Sequence, residues 1–455
     1  MVSRLLVAGC EVVATMDDAG TEVPGGSVLV EEGVIAWVGR GDPPGGADGA
    51  ERIAGAGCVA TPGLVNTHHH LYQAMTRAFA QQEGLFEWLV ALYPVWARLD
   101  AEWERAAARV ALAELALSGC STTTDHHYVF PAGAGDLLAI EVEAARELGV
   151  RFHPCRGSMD LGESDGGLPP DHLVEDTDDA LARTEEAVAR LHDPSPGSML
   201  RIAVAPCSPF SVSERLMREA AELARRLGVR LHTHLAETVD EERHCRERFD
   251  RRPVELMDEW GWLGDDVWFA HCVHVDEKDV RRLAETGSGV AWCPSSNLRL
   301  GSGIAPGRAF LEEGMRLGLG VDGSASNDAG HLLAEARQAV LVSRAGGAEG
   351  GLSARAALRV ATRGGAAVLG RDDIGTLEVG KRADLALFPL DGLETAGADA
   401  DAVAALALAP PPRVRHLLVE GRPVVRDGRL VGADEDEIAR EGHRIARRIH
   451  REAGR

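Results

Sequence analysis

Between residues 61 and 371, strand-like runs alternate with helical patterns, and this alternation limits the fold more than any other feature of the chain. The β-favouring runs are 63–67, 122–125, 151–155, 200–206, 230–235, 267–272, 289–293 and 318–322. Amphipathic stretches such as 102–117, 141–148, 180–191, 214–227 and 277–285 fall between them. Eight such units fit an α/β fold of the (β/α)8 TIM-barrel type, with chemistry carried at the C-terminal ends of the strands. A doubly wound open sheet gives the same alternation, so periodicity alone does not choose between them. Residues 1–60 have a different texture, short apolar runs cut by Gly, Asp and Pro, and that texture returns over 372–433. The expected organisation is a small β-sandwich domain built from 1–60 and 372–433 around a barrel over 61–371. A last helix over 434–455 is acidic at its start and arginine-rich at its end, as the helix dipole prefers.

Four of the eight runs end in residues that bind metals or move protons. The apolar run 58–65 reads as a buried strand that delivers Asn66-Thr67-His68-His69-His70. Strand alternation sends His68 and His70 to one side, about 6–7 Å apart, where both can reach one divalent cation. His234 ends the run 230–235 with Glu237 just beyond it, His271 ends 267–272, and Asp322 ends 318–322. Singly, a strand-end histidine more often serves a structural hydrogen bond, and an Asp-Gly pair is commonly just a turn. Four of these ends in one barrel are the place where an inward-facing site must be assembled.

Charge narrows the partners. Forty-eight basic against 71 acidic side chains give a net charge of −23, and no basic patch overrides it, so nucleic acid and anionic membranes are repelled. No apolar run approaches membrane-spanning length. The eight cysteines are scattered without a C-x-x-C pair, as buried thiols in a reducing compartment would be, and the N-terminus lacks a signal-peptide layout. A cytoplasmic location is expected.

The set Pro62-Gly63-Leu64-Val65-Asn66-Thr67-His68-His69-His70, His234-Leu235-Ala236-Glu237, Ala270-His271-Cys272-Val273-His274, Pro294-Ser295-Ser296-Asn297 and Val321-Asp322-Gly323 resembles the amidohydrolase superfamily. The likeness is to its subgroup of aminohydrolases and chlorohydrolases acting on nucleobases and triazines, and it spans nearly the whole chain. It implies His68, His70, His234 and Asp322 as ligands of one divalent metal, zinc or else ferrous iron, and Glu237, His271 and Asp322 as catalytic groups. A second metal would need a carboxylated lysine, and Lys278 and Lys381, the only lysines, lie outside barrel strands. The implied chemistry is hydrolytic deamination of an amidine-like ring carbon by metal-activated water. Glu237 protonates the adjacent ring nitrogen, Asp322 relays the water proton to the leaving amine, and His271 hydrogen-bonds the attacking water.

Three further stretches look closer to the 8-oxoguanine deaminase branch: 68–73, 124–131, and 155–159 leading to 166–171. The implied substrate is a small purine-like heterocycle, with Gln73, Arg156 and Trp88 as candidate substrate-binding residues. Surface or packing roles are open for each of the three. One of His126 and His127 should face inward, and the sequence leaves open which. The alternatives are an s-triazine amino- or chlorohydrolase of the hydroxyatrazine type, a pterin or guanine deaminase, and a non-catalytic scaffold. The glutamate at 237 favours an amine leaving group, and the intact ligand set argues against the scaffold. The long loop 160–176 is a candidate lid. Barrels of this family often pair, so a homo-oligomer is expected.

Overall fold

The computed structural model describes residues 4–346 and 351–454. Eight parallel strands close into a barrel: β1 (Leu64–Asn66), β2 (Cys120–His127), β3 (Arg151–Ser158), β4 (Ala203–Pro206), β5 (Leu231–Leu235), β6 (Val267–His271), β7 (Gly289–Trp292) and β8 (Arg316–Leu319). Closure settles the choice that periodicity left open. Strand β8 pairs with β1, so no open edge and no reversal of strand order exist in this sheet. Each strand expected in this region is present, with its ends moved by up to a few residues. Three of the helices that accompany the first strands are α1 (Leu85–Trp96), α2 (Ala101–Leu117) and α3 (Leu137–Leu148).

The run 58–65 is not one strand. It divides at Gly63: Cys58–Pro62 pairs with Leu385–Pro389 in a separate sheet, and only Leu64–Asn66 enters the barrel. Pro62 has no N–H to continue a ladder, and the Gly63 N–H turns instead to Asp384 O at 2.9 Å. A side chain at 63 would lie 2.3 Å from Ser121 Oγ, so the crossing between layers demands glycine.

Outside the barrel, two sheets pack face to face. The first holds Arg4–Ala8, Gly26–Glu31, Val34–Arg40 and Glu51–Ala54. The second combines Val12–Ala14, Glu22–Pro24 and Cys58–Pro62 with Leu385–Pro389, His416–Val419, Arg422–Arg426 and Arg429–Leu430 from the far end of the chain. Leu5, Val7, Val28 and Ile35 meet Ala60, Leu385, Leu387 and Leu418 in the layer between them. Strands Glu22–Pro24 and Glu51–Ala54 carry no apolar alternation, which is why their sequence did not announce them. The last helix, Glu435–Glu452, buries Ile438, Ile445 and Ile449.

A single arginine ties the bottom of the barrel to this second sheet. Arg151, at the start of β3, gives Nε and Nη2 to the two oxygens of Asp384, each at 3.1 Å. Its Nη1 donates to Gly197 O and Ser198 O at 2.8 and 2.6 Å, and Nη2 also meets Glu420. All five guanidinium donors are therefore used inside the protein. Replacing Arg151 with Met keeps the bulk but leaves Asp384 buried without its ion-pair partner. Urea unfolding of Arg151→Met is expected to show a loss of about 3–5 kcal/mol, and a loss below about 1 kcal/mol would contradict this role.

Candidate metal centre and active site

The ring protons decide what this site can hold. His70 Nδ1–H donates to His126 O at 2.7 Å, and His234 Nδ1–H donates to Cys207 O at 2.7 Å. A neutral ring that gives its proton away on one nitrogen presents a lone pair on the other. His232 Nδ1–H donates to Trp268 O at 2.9 Å, so its Nε2 accepts from His68 Nδ1–H, also at 2.9 Å. That leaves the Nε2 of His68, His70 and His234 all bare. Burial drives the basicity of these rings down, to about 4 for His70 and His234 and further for His68, so none competes for a proton near neutrality.

The bare atoms crowd each other. His70 Nε2 and His234 Nε2 are 3.1 Å apart, while Asp322 Oδ1 lies 3.4 Å from both His68 Nε2 and His70 Nε2. Two lone pairs at that distance repel unless a cation sits between them. Donor atoms on a tetrahedron with zinc bonds of about 2.0–2.1 Å are separated by about 3.3 Å. Imidazole and carboxylate donors at these separations suit a divalent ion, and among the described residues the mutually close donor groups here are His68 with His126 and His234, and His68 with His271 and Asp322. The Asp322 carboxylate accepts the Gly323 N–H at Oδ1, 2.7 Å away. Its Oδ2 is fixed by Ser296 Oγ at 2.5 Å and Ser326 Oγ at 3.0 Å. Neither Lys278, an exposed helical residue, nor Lys381 reaches the barrel interior.

Glu237 and His271 stand beside this centre, with Oε2 and Nε2 3.5 Å apart. Burial, then the charges of Asp322 and Glu241, push the Glu237 carboxyl well above its ordinary range, which favours its protonated form. Asn297 Nδ2 lies 2.9 Å from His271 Nδ1 and donates to it, which leaves the ring proton on the Nε2 that faces Glu237. The chain bends hard to present these groups. Ala236, His271, Cys272 and Asp322 all hold left-handed backbone, with φ of 52°, 73°, 48° and 62°. Such strain persists where surrounding contacts over-determine it. Here the Glu241 carboxylate accepts the Ala236 and Glu237 amides, both at 2.8 Å, and Ala236 O accepts the amides of Val273 and His274.

The structure brings together His68, His70, His234, Asp322, Glu237 and His271, and adds Gln73 and Trp88 at the cavity wall. Gln73 Oε1 has no partner in the protein and packs on Gly323, where an added Cβ would fall 1.9 Å away. Trp88 is tied through Nε1 to Ala325 O, so only its ring borders the cavity. Arg156 is placed elsewhere. Its guanidinium forms a two-point pair with Glu175 at 2.7 and 2.8 Å and stacks on Phe130, outside the barrel mouth. His126 faces inward, stacked on His234 with ring centroids 4.7 Å apart, and His127 faces α2 and α3. The loop 160–176 does not line the cavity; α1 covers it through Leu85, Trp88, Leu89 and Tyr93. His232, Ser296, Ser326, Asn297 and Glu241 were not anticipated as site residues. For His232 a signal existed, since it shares a strand face with His234.

Residues 59–424 match the sequence model of the amidohydrolase family. The chain is 48% identical to an 8-oxoguanine deaminase of Pseudomonas aeruginosa, over 91% of this chain and 92% of that one. It is 39% identical to an isoxanthopterin deaminase from an unknown prokaryotic organism, over 96% and 94% of the two chains. Among solved structures, atrazine chlorohydrolase TrzN from Arthrobacter aurescens complexed with zinc superposes with a TM-score of 0.92 at 35% identity, covering 97% of this chain and 100% of that one.

His232 never touches the ion position, yet it sets which nitrogen of His68 is bare. His232→Leu is expected to weaken zinc binding about 10–100-fold in a chelator competition, with helix and sheet content unchanged. Unaltered affinity in the folded variant would show that His68 needs no such partner.

Proposed function

Because this chain belongs to the amidohydrolase family and is a hydrolase acting on C–N bonds, we propose that it deaminates 8-oxoguanine to urate and ammonia at a zinc centre held by His68, His70, His234 and Asp322. The observation that carries the reading is the meeting of three bare imidazole nitrogens and the Asp322 carboxylate with a buried glutamate, Glu237, whose Oε2 lies 3.5 Å from His271 Nε2. A divalent metal there supplies a Lewis acid that makes water nucleophilic at neutral pH.

The remaining work falls to side chains. Glu237 holds its proton at Oε where it can protonate a ring nitrogen next to the amine-bearing carbon, which makes that carbon more electrophilic. His271 Nε2–H, oriented through Asn297, donates to the attacking oxygen and stabilises charge as it builds. Asp322, ionised and steadied by Ser296 and Ser326, takes the water proton and returns it to the departing amine. Gln73 offers an unpartnered carbonyl oxygen and an amide N–H to the polar rim of a flat heterocycle, and the Trp88 ring borders its plane. The purine assignment is supported by the 48% identity to the bacterial deaminase.

The cavity enclosed beneath α1 measures about 30 Å³, against roughly 300–1,000 Å³ for pockets that hold small ligands. A bicyclic substrate enters only when α1 moves outward. Hydrogen exchange over residues 85–96 should therefore exceed that of β5 and β6 in the free enzyme and drop on binding a slow purine analogue. Equal protection with and without the analogue would mean entry by another route.

Release of the leaving amine by zinc-loaded protein, ammonia from 8-oxoguanine, guanine and isoxanthopterin and ethylamine from hydroxyatrazine, tests the substrate. Release is expected to be strongest with 8-oxoguanine, with Glu237→Gln slower by about 10²–10⁴-fold. Turnover of the pterin or triazine alone keeps the mechanism and removes the substrate assignment. No turnover by metal-replete protein removes both.

A further inference from the structure

Behind the metal centre, between β2 and helices α2 and α3, lies a second group of titratable side chains that the reaction does not use. Glu104, Asp125, His127 and Glu141 are all fully buried. His127 Nε2–H donates to Val129 O at 2.9 Å, and its Nδ1 meets Glu141 Oε1 at 2.8 Å and Glu104 Oε2 at 3.8 Å. One side-chain oxygen or nitrogen from each of Glu104, His127 and Glu141 lies within 4.8 Å of the other two, and Asp125 stands beside His127 on β2. Among the described residues no arginine or lysine pairs with any of the three carboxyls.

Neither oxygen of Glu104, nor Asp125 Oδ2, nor Glu141 Oε2 receives a conventional N–H or O–H donor. Three buried carboxylates cannot all stay ionised beside one imidazole. Missing hydrogens on the carboxyls themselves resolve both facts. With protons on two of the three carboxyls, the buried negative charge falls to one, facing His127 Nδ1 through Glu141 Oε1 at 2.8 Å. A divalent ion held by Glu104, His127 and Glu141 is the alternative arrangement of this group. Burial pushes Glu104 and Asp125 well above the carboxylate range and Glu141 to about 8, in keeping with shared protons.

The group reaches the metal ligands through the backbone. Asp125 Oδ1 accepts the Leu71 N–H at 2.5 Å, one residue after His70. The His126 N–H donates to His69 O at 2.8 Å, and His126 O is the acceptor that fixes the His70 tautomer. The His127 ring packs edge-on against Tyr72, with centroids 5.4 Å apart. Displacing residues 125–127 displaces His70.

We propose that Glu104, Asp125, His127 and Glu141 form a proton-sharing brace that positions His70, and that the cluster holds no cation of its own. These are positioning residues; the inference rests on the reading of His70 as a metal ligand.

The test uses the full-length protein loaded with zinc. Metal analysis is expected to give one zinc per chain in the native protein and in Glu104→Gln, whose amide keeps a hydrogen-bond donor at this position. The infrared spectrum of the native protein at neutral pH is expected to carry the carbonyl stretch of a buried carboxylic acid, reduced in Glu104→Gln. Asp125→Ala should raise the zinc Kd about 10–100-fold, and Asp125→Asn, which keeps an oxygen for the Leu71 amide, should restore it. Two zinc ions in the native protein falling to one in Glu104→Gln would overturn the brace in favour of a cation site. A carboxylic-acid band of equal intensity in the native protein and in folded Glu104→Gln would overturn the shared protons. Native zinc affinity in folded Asp125→Ala would overturn the positioning role. A native protein that binds no zinc at all would instead overturn the metal reading.

Discussion

Everything at the barrel mouth depends on where three protons sit. The Nδ1 protons of His68, His70 and His234 go to His232, to the His126 carbonyl and to the Cys207 carbonyl. Were any of these rings in the other tautomer, an N–H would point at the centre and the site would repel a cation. The acceptors are backbone carbonyls or a histidine that is itself fixed by one, Trp268 O. Barrel register therefore determines metal competence. The strands must be aligned so that one strand's carbonyl meets its neighbour's ring, as β5 and β6 are where His232 opposes Trp268.

Around that centre the fold tolerates local strain. Non-glycine residues in left-handed backbone occur at the ends of β5, β6 and β8, and they turn Glu237, His271 and Asp322 toward the same volume. Each costs about 1–3 kcal/mol, offset by buried acceptors such as Glu241 and by amides cross-linked between strand ends. At the opposite end of the barrel, Arg151 and Asp384 join the β-sandwich to β3. Rigidity at the bottom and strain at the top divide stability from chemistry, as barrels generally do.

Much of this was legible in the residues. All eight barrel strands lie on β-favouring runs bounded by turn residues, and the six convergent side chains sit at strand ends, where position in the sequence implies position in space. Other features leave no such trace. A carbonyl acceptor has no residue-type signature, so the tautomer partners of His70 and His234 cannot be read from composition or spacing. Arg156 occupies a strand end as His68 does, but its partner Glu175 is 19 residues away and draws it outside. A helix that caps a mouth and a helix that fills a core share the same amphipathic pattern, which is why α1 gave no sign of being the cover. Pro62-Gly63 shows the reverse case: an apparent single strand whose one glycine carries the chain from sheet to barrel.

The most direct measurement is anomalous diffraction at the zinc edge from crystals grown with zinc. A single peak is expected about 2.0–2.2 Å from the Nε2 atoms of His68, His70 and His234 and from Asp322 Oδ1. A peak coordinated through Nδ1, a peak among Glu104, His127 and Glu141, or no peak at the barrel mouth would contradict the tautomer argument on which the site is built.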